Sequence, residues 1–211
     1  LTGEWVQGAV DPNDPNAYVP YTLNGATVLV PPTVLAVITG TSGRDDLTAG
    51  DGTQWLDGGA GSDVLDGGDG ADTLSGGSGD DVLVFDSADM SVSGGAGTDT
   101  LRIDGAGITL DLTPVGVINK YDSIEKLDLT GTGANTLIVG ADQIHAMTGG
   151  AERLIVAGDA GDVVRLSGDG WQSRGSELVL GITYNKYTNY ASDGTPVSIL
   201  LGLKVTKGDQ I

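Results

Sequence analysis

The chain has 211 residues and a formal net charge of −19, and it contains 36 glycines and no cysteine. Such acidity argues against binding to nucleic acids, because nucleic acids bind basic protein surfaces. It favours a protein that needs divalent cations to become compact. The lack of cysteine excludes disulfides and thiolate metal sites, and no apolar run is long enough for a transmembrane helix. We therefore expect no membrane insertion and no cleaved N-terminal signal. The polar faces of the predicted strands favour a monomer.

Residues 1–39 predict a linker that ends in capping strands. The run DPNDPNAYVP at 11–20 is rich in Pro, Asn and Asp, which is typical of a loop. Short β-branched runs follow at Thr27–Val30 and Thr33–Ile38, separated by two prolines. Because repetitive folds need caps at their ends, we expect these strands to cover the first coil of the region that follows.

From Gly40 to Arg102 the sequence repeats every nine residues without a slip. The blocks read GTSGRDDLT, AGDGTQWLD, GGAGSDVLD, GGDGADTLS, GGSGDDVLV, FDSADMSVS and GGAGTDTLR. The blocks that start at 58, 67, 76 and 94 match G-G-x-G-x-D-x-U-x, in which U is a large apolar residue, a pattern typical of calcium-binding parallel β-helices. The block at 85 has lost its glycines but keeps its length.

Each position of the nonapeptide has a physical role. The glycines permit a tight turn whose carbonyls face a cation, and the sixth-position Asp adds the hard anionic oxygen that Ca²⁺ prefers. The U residue points inward from a short strand while its neighbours point outward. One nonapeptide is then half a coil, so consecutive turns lie on opposite edges. The pattern predicts an all-β fold, a Ca²⁺-bound parallel β-roll (a β-solenoid) over residues 40–104.

This alternation divides the candidate ligands between two edges. The first edge has Asp45, Asp63, Asp81 and Asp99, which predict three sites between turns, at 45/63, 63/81 and 81/99. The second edge has Gln54, Asp72 and Met90, of which only Asp72 keeps the motif, although Asp86 or Asp89 offers a substitute near Met90. The remaining predicted ligands are backbone carbonyls of first and third positions: Gly40, Ser42, Gly58, Ala60, Gly67, Asp69, Gly76, Ser78, Gly94 and Ala96. The alternative is a metal-free solenoid whose aspartates merely favour turns.

Residues 105–211 predict a β-rich C-terminal cap with one short helix. The segment GTGANTLIV at 131–139 resembles a decayed nonapeptide, with Asn135 in the Asp place and 36 residues (four nines) after Asp99. The stretch Asp142–Met147 predicts the helix, with Asp142 as N-cap and with His145 in a packing role because it has no sequence partner. The turn GDAGD at 158–162 is a further candidate for a cation.

The nonapeptides resemble those of the RTX family of secreted bacterial proteins. The later segments YDSIEKLDLTGTGANTLIV, LIVAGDAGDVVRL and ITYNKYT are similar to the C-terminal region of large RTX adhesins. The resemblance implies several Ca²⁺ ions, an extracellular or bacterial cell-surface location, and export by a type I secretion system through an uncleaved signal near the C-terminus. It also implies upstream domains in a longer chain, so these and the secretion machinery are the expected partners.

Three functions are compatible with these features. The first is a module that folds on Ca²⁺ binding outside the cell and carries the secretion signal of an adhesin, with a role in cell adhesion and biofilm. The second is the same module at the end of a secreted enzyme such as a protease or lipase. Neither H-E-x-x-H nor G-x-S-x-G occurs, so we expect that this chain is not an enzyme. The third, ligand binding through Ca²⁺, is disfavoured because each ion is expected to be enclosed by two turns.

Overall fold

The computed structural model describes residues 36–117, 119–131, 133–202 and 206–207, together with the backbone of the strands at 6–7, 19–23 and 26–30. The strands of the first half are β1 (Val6–Gln7), β2 (Val19–Leu23), β3 (Ala26–Val30), β4 (Ala36–Thr39), β5 (Asp46–Thr48), β6 (Gln54–Asp57), β7 (Val64–Asp66), β8 (Thr73–Ser78), β9 (Val82–Val84), β10 (Ser91–Ala96) and β11 (Thr100–Arg102). Those of the second half are β12 (Thr109–Asp111), β13 (Tyr121–Asp122), β14 (Lys126–Asp128), β15 (Thr136–Val139), β16 (Arg153–Ala157), β17 (Val163–Leu166), β18 (Gln172–Val179), β19 (Ile182–Tyr190), β20 (Pro196–Gly202) and β21 (Thr206–Lys207), and α1 is Ala141–Met147.

The first of two compact units spans Leu1–Ala36 and contains an antiparallel sheet in the order β1-β2-β3. The strand predicted at Thr27–Val30 is confirmed as β3. The predicted loop at 11–20 is wrong at its end, because residues 19–20 begin β2 and pair with β3, while residues 11–18 lie outside the described part. Of the strand predicted at Thr33–Ile38, residues 36–38 lie in β4 and residues 33–35 are outside the described part.

The second unit, Val37–Ile211, is built from stacked parallel strands, which confirms the predicted parallel β-roll. One sheet has the order β13-β10-β8-β6-β4, and a larger one has the order β18-β19-β20-β16-β14-β11-β9-β7-β5. Over the nonapeptides the chain alternates between these two sheets. Successive strands of a sheet stay in register, as in the pairs Leu56 with Leu74 and Leu65 with Leu83.

The inward column of the roll is continuous. The U residues from Leu56 to Leu101 are completely buried, and Leu47 packs against them. Full burial of one such side chain contributes about 1.5–3 kcal/mol to folding. Trp55, beside Leu56, points outward and is 43% exposed, because alternate residues of a strand face opposite sides.

Beyond β11 the solenoid continues with longer coils. The large sheet grows through β14, β16 and β20, and a new parallel sheet begins, in the order β12-β15-β17-β21. The hairpin β18–β19 closes one edge of the large sheet through antiparallel pairing with β20. Within the described part of the chain, no helix has both the length and the apolar character needed to cross a bilayer.

The short helix begins one residue earlier than the sequence predicted, and its N-cap is Gly140, not Asp142. The Gly140 N–H donates to the side chain of Gln143, whereas the Asp142 carboxylate accepts the N–H of Ser192. His145 does find charged neighbours, Glu152 at 2.8 Å and Asp193 at 3.4 Å. Glu152 is seven residues from His145, whereas Asp193 is 48 residues away and could not be found from sequence spacing.

Candidate metal centre

The sixth-position carboxylates of the first edge form a ladder that runs across the coils. The backbone N–H of Asp45 donates to Oδ1 of Asp63, that of Asp63 to Oδ1 of Asp81, and that of Asp81 to Oδ1 of Asp99, each at 2.8 Å and 18 residues apart. The predicted spacing thus brings these four residues together on one edge. Oδ1 of Asp63, Asp81 and Asp99 therefore has a structural role.

The other carboxylate oxygen of Asp63, Asp81 and Asp99 has no protein partner. Asp63, Asp81 and Asp99 are at most 1% exposed, and Oδ2 of each is buried without a hydrogen bond. A buried anionic oxygen without a partner costs several kcal/mol unless a cation compensates it. Three orphaned oxygens in one column therefore fit a row of bound cations.

The orphaned oxygens of Asp63 and Asp81 each face a space that a Cβ atom would fill. An ideal Cβ on Gly58 would lie 2.7 Å from Oδ2 of Asp63 and 2.6 Å from the carbonyl oxygen of Gly76, one coil further on. Gly76 repeats this arrangement with Asp81 and with the Gly94 carbonyl. A carboxylate oxygen and a carbonyl oxygen thus approach one point, where only glycine leaves room. Both are hard oxygen ligands of the kind that Ca²⁺ prefers, so the residues present fit this ion.

Asp45, the first residue of the ladder, differs from the other three. Asp45 is half-buried, and its Oδ2 accepts hydrogen bonds from the backbone and the hydroxyl of Thr41, at 2.6 and 2.9 Å. Thr41 stands where the intact blocks have their second glycine. The predicted 45/63 site therefore lacks the orphaned oxygen that marks the 63/81 and 81/99 sites.

Asp72 and Asp89 form a shorter ladder on the second edge. Oδ1 of Asp72 accepts the N–H of Gln54 at 2.7 Å, its Oδ2 is an orphan, and its side chain is completely buried. The Asp89 carboxylate accepts the backbone N–H of Asp86 at 3.3 Å, and its Oδ1 is a second orphan. Burial raises the pKa of this carboxylate, and the backbone N–H groups of Asp86 and Asp72 act in the opposite direction. Of the two substitutes proposed near Met90, the structure therefore places Asp89 in the ladder. Asp86 instead accepts the N–H of Ala88 in its own turn.

At the end of the second edge, the positive charge comes from the ammonium group of Lys120. Its ammonium donates to the carbonyls of Asp86 and Ser87, at 3.3 and 2.9 Å, in the block that has lost its glycines. Burial lowers the pKa of Lys120, and the nearby Asp89 and Asp86 act in the opposite direction. The degenerate block is thus held partly by a side-chain charge.

The predicted carbonyl ligands lie in these turns, and those of the third positions also support the backbone. The carbonyls of Asp69, Ser78 and Ala96 accept the N–H of the fourth-position glycine one coil earlier, at 2.8 Å. First-position carbonyls face the glycine one coil earlier, as described for Gly76. In the described residues no three His, Asp or Glu side chains converge on one point. Any cation here therefore depends on backbone carbonyls as much as on carboxylates.

Burial alters the protonation of the ladder in the metal-free state. It raises the pKa of Asp81 and of Asp89 from 3.8 to about 6 in each case. It also raises the pKa of Asp72, Asp99 and Glu125. Neighbouring carboxylates add to this shift, for example Asp99 and Asp63 beside Asp81. Without a bound cation, burial therefore disfavours the ionised form of these carboxylates.

The sequence prediction missed Glu125, which continues the first edge. Oε2 of Glu125 accepts the N–H of Asp99 at 2.9 Å, although the two residues are 26 apart and not 18. The spacing rule fails here because the coil has lengthened. The available signal is local: Glu125 precedes Lys-Leu-Asp in the same way that Asp63 precedes Val-Leu-Asp.

Comparison with known proteins agrees with the repeats. Residues 48–83 match the family model of the RTX calcium-binding nonapeptide repeat in four copies, so this stretch consists of calcium-binding RTX repeats. No curated protein matches the chain. The solution structure of the AlgE6R3 subunit from the Azotobacter vinelandii mannuronan C5-epimerase is similar at 23% identity, covering 81% of this chain and 74% of that one, with a TM-score of 0.24. The fold assignment rests on the strand pairing described above.

Proposed function

We propose that this chain is a calcium-dependent folding module of a secreted protein, expanded where free Ca²⁺ is scarce and folded outside the cell. The observation that supports it most is the column of buried, unpartnered oxygens of Asp63, Asp81 and Asp99. Extracellular Ca²⁺ modules bind with dissociation constants of about 10⁻⁴–10⁻³ M, a range that extracellular Ca²⁺ fills. Because the coils create the sites, the binding free energy becomes folding free energy.

Electrostatics opposes folding in the absence of the ion. The chain carries a net charge of −19, and folding stacks carboxylates at every second turn. A glycine-rich chain also loses more backbone entropy on ordering than an average one. Cations at the ladder offset both effects, because they neutralise the stacked charges and connect consecutive coils.

The wider role that we propose is that of the C-terminal region of a cell-surface adhesin exported by type I secretion. The resemblance of YDSIEKLDLTGTGANTLIV and ITYNKYT to large RTX adhesins supports this role. An unfolded chain can pass a narrow channel and fold on release. On this proposal the partners are the secretion machinery and upstream domains, and the chain itself has no catalytic activity.

Sedimentation velocity of the full chain tests the folding step. In chelator we expect an expanded species, and in millimolar Ca²⁺ a compact monomer, with no compaction in Mg²⁺ because that smaller ion demands near-ideal octahedral geometry. Equal sedimentation in chelator and in Ca²⁺ would contradict the proposal.

Export is tested separately. A reporter fused ahead of the full chain is expressed in bacteria with and without a type I exporter, and the reporter is measured in the medium. We expect release only with the exporter. Retention in both strains would argue against the secretion role and would leave the folding step intact.

A further inference from the structure

The turn at residues 123–125 reproduces the contacts of a nonapeptide turn without having its sequence. In the roll, the residue after each sixth-position Asp donates its N–H to the carbonyl of the Asp one coil earlier, as Val82 does to Asp63 at 2.8 Å. Lys126, which follows Glu125, donates in the same way to Asp99 at 2.9 Å. Together with the bond from the Asp99 N–H to Glu125, this places Glu125 at the sixth position of one more turn.

Ser123 takes the place of the first-position glycine. The carbonyls of Gly76 and Gly94 face the glycine one coil earlier, and the Ser123 carbonyl faces Gly94 in the same manner. Ser123 has a φ of 54°, a left-handed conformation that is uncommon for a residue with a side chain. Ser123 adopts this conformation where its carbonyl points toward Gly94.

Asp99 has an unpartnered carboxylate oxygen, and its carboxyl group lies beside this turn. Asp99 is completely buried, and its Oδ2 has no hydrogen-bond partner. Its carboxyl carbon lies 2.6 Å from the ideal Cβ position of Gly94, the same point that the Ser123 carbonyl approaches. The Asp99 carboxyl group and the Ser123 carbonyl thus flank Gly94, as the Asp63 carboxylate and the Gly76 carbonyl flank Gly58.

We infer that Asp99, Ser123 and Glu125 form a further Ca²⁺ site at the end of the first edge, beyond the last nonapeptide. Its ligands are the orphaned Oδ2 of Asp99 and the carbonyl of Ser123, and the Glu125 carboxylate supplies the negative charge of the next rung. This inference rests on the proposed function. It adds that residues of the C-terminal region take part in ion binding, so that the ion ties β14 to the roll.

The site lies beside solvent. A cleft of about 680 Å³ borders it and is lined by Gly95, Gly97, Ser123 and Glu125 among others. An ion can therefore reach this terminal site without the coils separating.

Native mass spectrometry of the full chain in saturating Ca²⁺ tests the inference by counting ions. We expect Glu125→Gln, which retains an acceptor for the Asp99 N–H but removes the charge, to bind one ion fewer than the wild type. The matched control is Asp122→Asn, which removes the same charge from an exposed residue of the same turn and should bind the full number. An unchanged count in Glu125→Gln, or an equal loss in the control, would overturn the inference.

A second measurement does not depend on a variant that folds. Crystals of the wild-type chain grown with Tb³⁺ should show anomalous density between Asp99 and Ser123, as well as in the 63/81 and 81/99 gaps. Density in those two gaps without any at Ser123 would overturn the terminal site while supporting the proposed function. A lack of density in all three would overturn both.

Discussion

The backbone N–H of Asn135 donates to Oδ1 of Asp162 at 2.8 Å, which is the contact that Asp63 makes with Asp81 in the roll. Here, however, the ladder is complete without an ion. Oδ2 of Asp162 accepts the N–H of Asp159, and the amide of Asn135 donates to the carbonyl of Gly105 at 3.1 Å. The same backbone architecture is thus stabilised by protein hydrogen bonds after the roll, and both oxygens of the GDAGD carboxylate Asp162 are engaged.

Replacement of Asn135 by Asp should destabilise the protein even in saturating Ca²⁺. The new carboxylate would be buried against the Gly105 carbonyl in place of a donor, at a cost of about 2 kcal/mol or more. Urea unfolding monitored by fluorescence measures this cost. Asn119→Asp, the same chemical change at an exposed residue, is the control and should lose less than about 0.5 kcal/mol. Equal stability of the two variants would show that the Asn135 contacts do not matter.

A methyl group at Gly76 should block an ion site. The Cβ would meet both the Asp81 carboxylate and the Gly94 carbonyl, so Gly76→Ala would displace two of the oxygens that we assign to the cation. We expect the Ca²⁺ midpoint for folding to rise by at least about tenfold, equivalent to about 1.4 kcal/mol. Gly50→Ala is the matched control, since no atom lies within 4 Å of its Cβ position. Similar midpoints for the two variants would contradict this placement.

Removal of charge should matter more at Asp81 than at Asp45. In Asp81→Asn the amide keeps an acceptor for the Asp63 N–H but loses the anionic oxygen, so we expect weaker Ca²⁺ binding. Asp45→Asn should have a smaller effect on binding, because both donors to its Oδ2 come from Thr41. Calorimetric titration with Ca²⁺ distinguishes the two, and a larger effect at Asp45 would be the contrary result.

Acid should stabilise the metal-free fold. The pKa of Asp81 and of Asp89 rises from 3.8 to about 6 on folding because both are buried, so the folded state binds more protons than the unfolded state between these values. Stability in chelator should therefore increase as the pH falls from 7 toward 4. In limiting Ca²⁺ the sign should reverse, since protons compete with the ion. Far-UV circular dichroism of the chelated chain measures the first trend as a folded fraction, and thermal melts in limiting Ca²⁺ measure the second. A chelated chain with a lower folded fraction at pH 5 than at pH 7 would be inconsistent with these shifts.

The sequence predicted the roll well because its period is strict. The spacing of nine placed Leu56 to Leu101 in the core and Asp63, Asp81 and Asp99 on one edge, and the structure shows both arrangements. Within a regular coil, position in the repeat determines direction in space.

The same rule fails once coils change length. The spacing of 36 aligns Asn135 with Asp99, yet the structure pairs Asn135 with Ile108 and Asp162, each 27 residues away. Asn135 lies at the edge where the chain leaves the large sheet. This is the edge of Asp72 and not the edge of Asp99. The nine-residue spacing does not identify Glu125 for the same reason, because Glu125 lies 26 residues after Asp99. Residue spacing cannot locate partners when loop length is free to vary.

The central claim is that Ca²⁺ folds the chain by occupying the ladder. Far-UV circular dichroism of the full chain in chelator, titrated with Ca²⁺ and separately with Mg²⁺, tests it most directly. We predict a cooperative transition from coil to β-structure in the Ca²⁺ titration only. A full β spectrum in chelator, unchanged by Ca²⁺, would contradict the claim and would make the orphaned oxygens of Asp63, Asp81 and Asp99 a static feature of the solenoid.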